Sequence, residues 1–367
     1  MTDWFRHGNA ARLAPRLVAF ALIAFAVVWV LFAARPCGDV GCTGIQTSFG
    51  SAVHDPHDFI VTLLNGLTAA GLYFVVASGF TLIFGLMRVV NMAHGAFFLL
   101  GGYVALKLER RVVGQDSAFG LLSSQVSLWQ WVVPAVAAAL TIGLVGLAMQ
   151  QSFLRWNQGQ ELRQALITIA ISVIIADQVL AHFNQGLASS ITWPGWTERL
   201  VPLPLLGIDY SLARLVVLLL GLWVGLALWI WLYRTRTGMV IRAGVDDRQM
   251  TSALGVNIQL TFAIAFVVGS SLAAFGGVVG ASQGAVAPGQ DGQWLLNSLV
   301  VVIIGGLGSL LGAAAGSLLY GLVFSFSAVY LPTAGNNCCT QYSIVFTFML
   351  LALVLAFRPQ GLFGRFS

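Results

Sequence analysis

Ten stretches of apolar sequence, most of them without any ionisable side chain, follow one another along this chain and decide the solvent it folds in. The first, Leu17 to Ala34, is 18 uncharged residues long, eleven of them Leu, Ile, Val or Phe. The others run at about 60–86, 91–106, 129–151, 165–184, 211–233, 261–281, 294–306, 310–331 and 341–357. About 20 such residues in a helix cross the hydrocarbon core of a bilayer. With only 8% charged residues in 367, against roughly 25% in soluble domains, the chain cannot cover a water-exposed surface. The expectation is an all-α, polytopic membrane protein of about ten transmembrane helices. The 13-residue stretch at 294–306 rises only about 20 Å, so it predicts a tilted short helix or a re-entrant element.

Arg6, Arg12 and Arg16 precede the first stretch and Ala33 and Ala34 close it. A cleavable secretory signal has that order, but its apolar part is shorter, and a retained span is the reading adopted. Counted alternately from a cytoplasmic N-terminus, the inner segments hold twelve arginines and the outer ones six basic residues: Arg35, Lys107, Arg110, Arg111, Arg199 and Arg214. Basic residues accumulate on the cytoplasmic side. Both termini are therefore expected in the cytoplasm of a multi-pass protein of a bacterial inner membrane. Lys107, Arg110 and Arg111 together make one local violation.

Several chemistries are excluded or demoted. The single lysine, Lys107, is followed by Leu108, so no G-x-x-x-x-G-K-[ST] phosphate loop exists, and Glu109, Glu161 and Glu198 sit in no H-E-x-x-H frame. The basic residues form no run that suits nucleic acid. Gly280-Ala281-Ser282-Gln283-Gly284 spells G-x-S-x-G, but at the end of an apolar helix instead of a strand-to-helix turn. His54-Asp55-Pro56-His57-Asp58 reads as a solvated acidic loop, since a closed metal site needs further ligands nearby. No catalytic residue, metal or cofactor is expected. The four cysteines, Cys37, Cys42, Cys338 and Cys339, fall in outer loops, where their pairing, if any, is open.

Polar groups inside apolar spans are costly and so mark function. Asp177, twelve residues into its stretch, needs either a hydrated path or a partner, or else lies near the outer interface. Asn91 and His94 share one helix face, where they tie a break in the helix after Met87 or meet a solute. Gly308, Gly312 and Gly316 recur every fourth residue, as do Ala273, Gly277 and Ala281, and such strips let helices approach closely. The inner segment Arg234 to Leu260 is the longest. Asp246 there reads as an N-cap with Gln249 three residues on, and Gly255 as the C′ glycine, which predicts one short helix of about eight residues.

These residues carry a resemblance. Leu64-Asn65-Gly66-Leu67, Phe84-Gly85-Leu86 and Asn91-Met92-Ala93-His94-Gly95 are similar to signatures of the permeases of branched-chain amino-acid ABC importers. Arg234-Thr235-Arg236-Thr237-Gly238, Asp247 and Leu254-Gly255-Val256-Asn257 resemble that family's coupling loop. Gly305-Gly306-Leu307-Gly308-Ser309 and Pro359-Gln360-Gly361-Leu362 follow in the family's order. The resemblance covers about residues 59–367. Residues 1–58, with a cytoplasmic tail, an extra span and the Cys-bearing loop, lie outside it, and Arg155-Trp156 and Asp177 depart from the family pattern.

The resemblance implies an ABC permease transmembrane domain working with cytoplasmic ATP-binding subunits, a second permease subunit and an extracytoplasmic solute-binding protein. It places the ATPase contact on Arg242, Asp246, Asp247 and Gly255. The translocation path is expected along the helices around 60–106, 165–184 and 294–331, with Asn65, Asn91, His94, Asp177, Gly306 and Ser309 as its polar and flexible points, packed through Gly308, Gly312 and Gly316. The solute is expected to be a branched-chain amino acid. Urea or a short amide, which close relatives carry, is the alternative. An ion-coupled carrier using Asp177 and an intramembrane hydrolase using Ser282 are the rivals from other classes.

Overall fold

The computed structural model describes residues 34–36, 45–47, 56–87, 90–113, 126–157, 159–183, 189–203, 208–330 and 342–364. Short strands β1 (Ala34–Pro36) and β2 (Ile45–Thr47) pair antiparallel. The main bundle is α1 (Pro56–Met87), α2 (His94–Val113), α3 (Leu128–Met149), α4 (Glu161–His182), α5 (Leu212–Arg234), α8 (Ile258–Gln283), α9 (Asp291–Gly305), α10 (Leu310–Tyr330) and α11 (Tyr342–Phe357). Two short helices, α6 (Arg236–Asp246) and α7 (Arg248–Ala253), lie between α5 and α8, and an antiparallel hairpin of β3 (Leu200–Leu203) and β4 (Ile208–Ser211) precedes α5. The first apolar stretch, 17–34, falls outside the described residues except for Ala34, as do the four cysteines.

Among the described residues, six helices are long and apolar enough to cross a membrane: 56–87, 128–157, 161–182, 212–234, 258–283 and 310–330. The expected count of about ten is therefore not reached on that criterion. The last two turns of α2 carry Lys107, Glu109, Arg110 and Arg111, and α9 and α11 have only 15 and 16 residues. The third apolar stretch, 91–106, also begins its helix later than its composition suggests, at His94, since residues 90–93 are non-helical.

Lipid gives helices no hydrophobic reason to associate, so close backbone approach carries the packing. α1 shows this at four points. A Cβ on Gly66 would lie 3.0 Å from Leu322 of α10, one on Gly71 3.3 Å from Leu218 of α5, one on Gly79 2.5 Å from the Gly269 carbonyl of α8, and one on Gly85 3.1 Å from Gly308. Each glycine meets a different partner, and α1 is the central post of the bundle. α4 is its opposite: only Gln164, Thr168 and Val179 are buried, and Leu162, Leu166, Ile169, Val173, Ile174 and Leu180 stand exposed.

The bundle has two unlike ends. The C-terminus of α1 meets α6 through Leu86 and Gly244, and the turn at Gly308 through Gly85. The other end carries the β3–β4 hairpin, where Tyr210 and Arg214 reach Asn65 near the start of α1.

Candidate translocation path and coupling surface

Asn65 faces the hairpin end. Its side-chain oxygen accepts from the Tyr210 hydroxyl at 3.0 Å and from Arg214 Nη1 at 2.6 Å, and the Thr68 hydroxyl lies 3.1 Å from that of Tyr210. This cluster pins α1 to β4 and α5.

Asn91 and His94 are both buried. The Asn91 side-chain oxygen accepts the Ala93 N–H at 3.1 Å and its backbone carbonyl accepts the His94 N–H at 3.2 Å, so one residue caps the start of α2. His94 Nε2 lies 3.0 Å from the Val76 carbonyl; a carbonyl only accepts, so that nitrogen carries the proton and Nδ1 is an acceptor. Among the described residues, Nδ1 and the Asn91 amide nitrogen are buried without a hydrogen-bond partner. Val76 precedes the end of α1 by 11 residues, about 16 Å along the helix axis. Residues 90–93 therefore carry non-helical backbone deep into the bundle, which a membrane protein tolerates only where protein or a water-filled path surrounds it. Met92 N–H donates to Thr168 Oγ1 of α4 at 3.1 Å, and Gly95 packs on the Asp291 carbonyl at the start of α9.

Gly306 and Ser309 form the α9–α10 turn at the other end. Gly306 has φ 107° and Gly308 φ 81°, a region in which a Cβ is strained. Ser309 Oγ accepts the Gly312 N–H at 3.0 Å and so caps α10. Of the expected glycine strip, Gly312 and Gly316 lie in α10 and pack on Gly305 and Val301 of α9, whereas Gly308 precedes the helix and faces α1. Residues 361–364 dock here: Leu362 and Phe363 donate to the Ile304 and Gly305 carbonyls, each at 2.9 Å. Asp177 is exposed on the bare face of α4. The six expected path residues thus divide into Asn91 with His94 inside the bundle, Gly306 with Ser309 at one end, Asn65 at the other, and Asp177 outside.

The 234–260 segment forms two helices where one was expected. Thr235 Oγ1 accepts the Gly238 N–H at 3.1 Å and starts α6. Asp246 is the last residue of α6, and the cap of α7 is Asp247, which is extended (φ −146°, ψ 106°) and accepts the Met250 N–H at 3.0 Å. The expected capping by Asp246 is corrected: a helical residue has no free geometry to cap the next helix. Gly255, at φ 81°, follows α7 as expected of a C′ glycine. Met239, Met250 and Leu254 are exposed, Leu254 by 78%, beside exposed Asp247. Arg242 lies over the Tyr233 ring, 4.5 Å from its centroid.

Sequence reasoning missed the carboxylate of Glu109. It is 5% exposed and accepts the Thr192 N–H at 3.0 Å. It lies past the apolar stretch that ends at 106, among the charges that close α2. Burial pushes its pKa from 4.5 up to about 7, with the Thr192 N–H and Arg110 opposing. Ser282 sits within α8, donating to the Val278 carbonyl at 2.9 Å and accepting from Trp131 Nε1 at 3.0 Å, on no nucleophile elbow.

A glycine-seamed bundle of apolar helices, six of them long and apolar enough to cross a membrane among the described residues, is the architecture of a multi-pass membrane protein. Residues 62–355 match the family model described as branched-chain amino acid transport system, permease component, and the chain belongs to that family. The permease protein BraD of the high-affinity branched-chain amino acid transport system of Pseudomonas aeruginosa is 28% identical over 316 residues, covering 84% of this chain and 97% of BraD. LivH of Escherichia coli K12, of the same description, is 26% identical over 327 residues, covering 84% and 96%. Among solved structures, PsaBC from Streptococcus pneumoniae in complex with Fab is 10% identical with a TM-score of 0.45, covering 84% of this chain and 95% of that one.

Proposed function

We propose that this chain is the membrane permease subunit of an ATP-driven importer that carries branched-chain amino acids across a bacterial inner membrane. The observation that supports it most is the family match across residues 62–355. The relatives named above, covered over nearly their whole length, are permeases of high-affinity branched-chain amino acid transport systems. In this reading the α6–α7 end faces the cytoplasm and receives the ATP-binding subunits on Met239, Arg242, Asp247, Met250 and Leu254. The hairpin end faces a solute-binding protein, and a second permease covers α4. Solute passes near Asn91 and His94 between α1, α2, α4 and α9, and the turn at Gly306 and Ser309 gives α9 and α10 room to move. The chain hydrolyses nothing itself.

The test is reconstitution of the chain with its ATPases, companion permease and receptor in liposomes, followed by uptake of labelled leucine and labelled urea. ATP-dependent leucine uptake is expected. Uptake of urea alone moves the chain to the amide alternative, and leucine uptake driven by a proton gradient without ATP moves it to an Asp177-based carrier.

A further inference from the structure

We propose that Tyr233 is a positioning residue that holds Arg242, and with it α6, in a fixed register on α5, so that force applied to α6 reaches α1 instead of being lost in a hinge. The inference rests on the reading of α6 and α7 as the surface that meets the ATP-binding subunits.

Three fastenings close the α5–α6 corner. The Thr235 hydroxyl donates to the Trp231 carbonyl at 2.6 Å while accepting the Gly238 N–H, so one side chain spans the last turn of α5 and the first of α6. Gly238 packs directly on the backbone of α5: a Cβ there would run into the Trp231 carbonyl oxygen and lie 2.5 Å from Leu232 Cα. Those two fastenings act at the pivot; further along, Ile241 is buried in the core and Gly244 packs on Leu86, which holds α6 against α1 but not against α5. Arg242, in the second turn of α6, supplies the lever arm, with its guanidinium carbon 4.5 Å from the Tyr233 ring centroid. Its Nε is buried without a hydrogen-bond partner among the described residues. A cation over an aromatic face is drawn to the ring quadrupole, and a planar guanidinium also stacks on the ring, which an ammonium does not.

Beyond the corner the close packing continues. A Cβ on Gly244 of α6 would lie 3.3 Å from Leu86 of α1, and one on Gly221 of α5 would lie 2.7 Å from Gly71 Cα of α1. α1 in turn meets α8 at Gly79 and Gly269. A corner that does not flex therefore moves α5 and α1 together, and α1 carries the Val76 carbonyl that holds His94.

The experiment uses the complete reconstituted importer, reading leucine uptake and ATP hydrolysis in the same vesicles. Tyr233→Leu keeps the apolar bulk and removes the ring face; ATP hydrolysis is expected to persist while uptake per ATP falls about five-fold. Tyr233→Phe keeps the face and is expected to restore the ratio. Arg242→Gln is the second arm, and because the two groups act through each other, Tyr233→Leu with Arg242→Gln together should lose no more than the worse single change. An unchanged ratio in Tyr233→Leu, a Phe variant as poor as Leu, or additive losses would overturn the proposal. Wild-type vesicles without any ATP-driven uptake would instead overturn the reading beneath it.

Discussion

Glu109 accepts the backbone N–H of Thr192 at 3.0 Å from a site only 5% exposed, which ties the end of α2 to the loop running toward the β3–β4 hairpin. That loop is held elsewhere as well: Ser189 and Val286 exchange backbone bonds at 2.9 and 2.8 Å, Ile191 donates to the Ala281 carbonyl at 3.0 Å, and Trp193 stacks on Trp131 at 5.4 Å. The carboxyl is the acidic member of this joint among the described residues, beside the Tyr103 hydroxyl that donates to the Val286 carbonyl at 3.3 Å.

Burial raises the Glu109 pKa from 4.5 to about 7, so the folded protein holds the proton more tightly than the unfolded chain. Its contribution to stability is full below about 4.5 and is lost as pH rises through about 7. Thermal unfolding of the detergent-solubilised protein at pH 5 and pH 8 should show a drop that Glu109→Gln removes. An equal drop in the Gln variant would assign the effect to other groups.

Gly277 lies where α8 meets α2, and a Cβ there would run into the Phe98 carbonyl. Gly277→Ala should lower stability by about 1–3 kcal/mol through overpacking, read as a shift of the detergent melting temperature. Gly292→Ala meets nothing within 4 Å and should melt like the unsubstituted chain.

Asp247 caps α7 through Met250. Asp247→Ala should cost that helix about 1 kcal/mol and weaken binding of the ATP-binding subunits more than it lowers the melting temperature, whereas Asp247→Asn keeps an accepting oxygen and much of both. Pull-down of the ATPases beside a melting curve separates the two effects.

Asp177 stands on the exposed face of α4, in the last two turns before its end at His182. In a permease driven by ATP, Asp177→Asn should leave uptake ATP-dependent and insensitive to a collapsed proton gradient. Loss of all transport in that variant, with ATP hydrolysis intact, would return the carboxylate to the chemistry of the path.

The apolar runs announced the helices of the bundle because length and hydropathy are properties of consecutive residues. What escaped depends on partners far away in sequence or on a choice between neighbours. Asn65 reaches Tyr210 across 145 residues, and no local pattern links them. Asp246 and Asp247 are equal candidates for a cap by composition, and only the backbone, helical at one and extended at the other, separates them. α6 was hidden because Arg234-Thr235-Arg236-Thr237-Gly238 reads as a polar loop, with β-branched and glycine residues that disfavour helix; the Thr235 cap and the seat of Gly238 on α5 supply what propensity does not. Asn91 and His94 were legible as a pair at a helix break. Their depth in the bundle follows from Val76, which the local spacing does not reveal.

The segment after α11 returns to the α9–α10 turn, where the Leu362 and Phe363 amides occupy the carbonyls that α9 leaves open at Ile304 and Gly305. Residues 361–364 thus form a plug seated among glycines, with Gly306 and Gly364 too close for any side chain between them. Removing residues 361–364 would strip the carbonyls of Ile304 and Gly305 of these donors and unravel the last turn of α9.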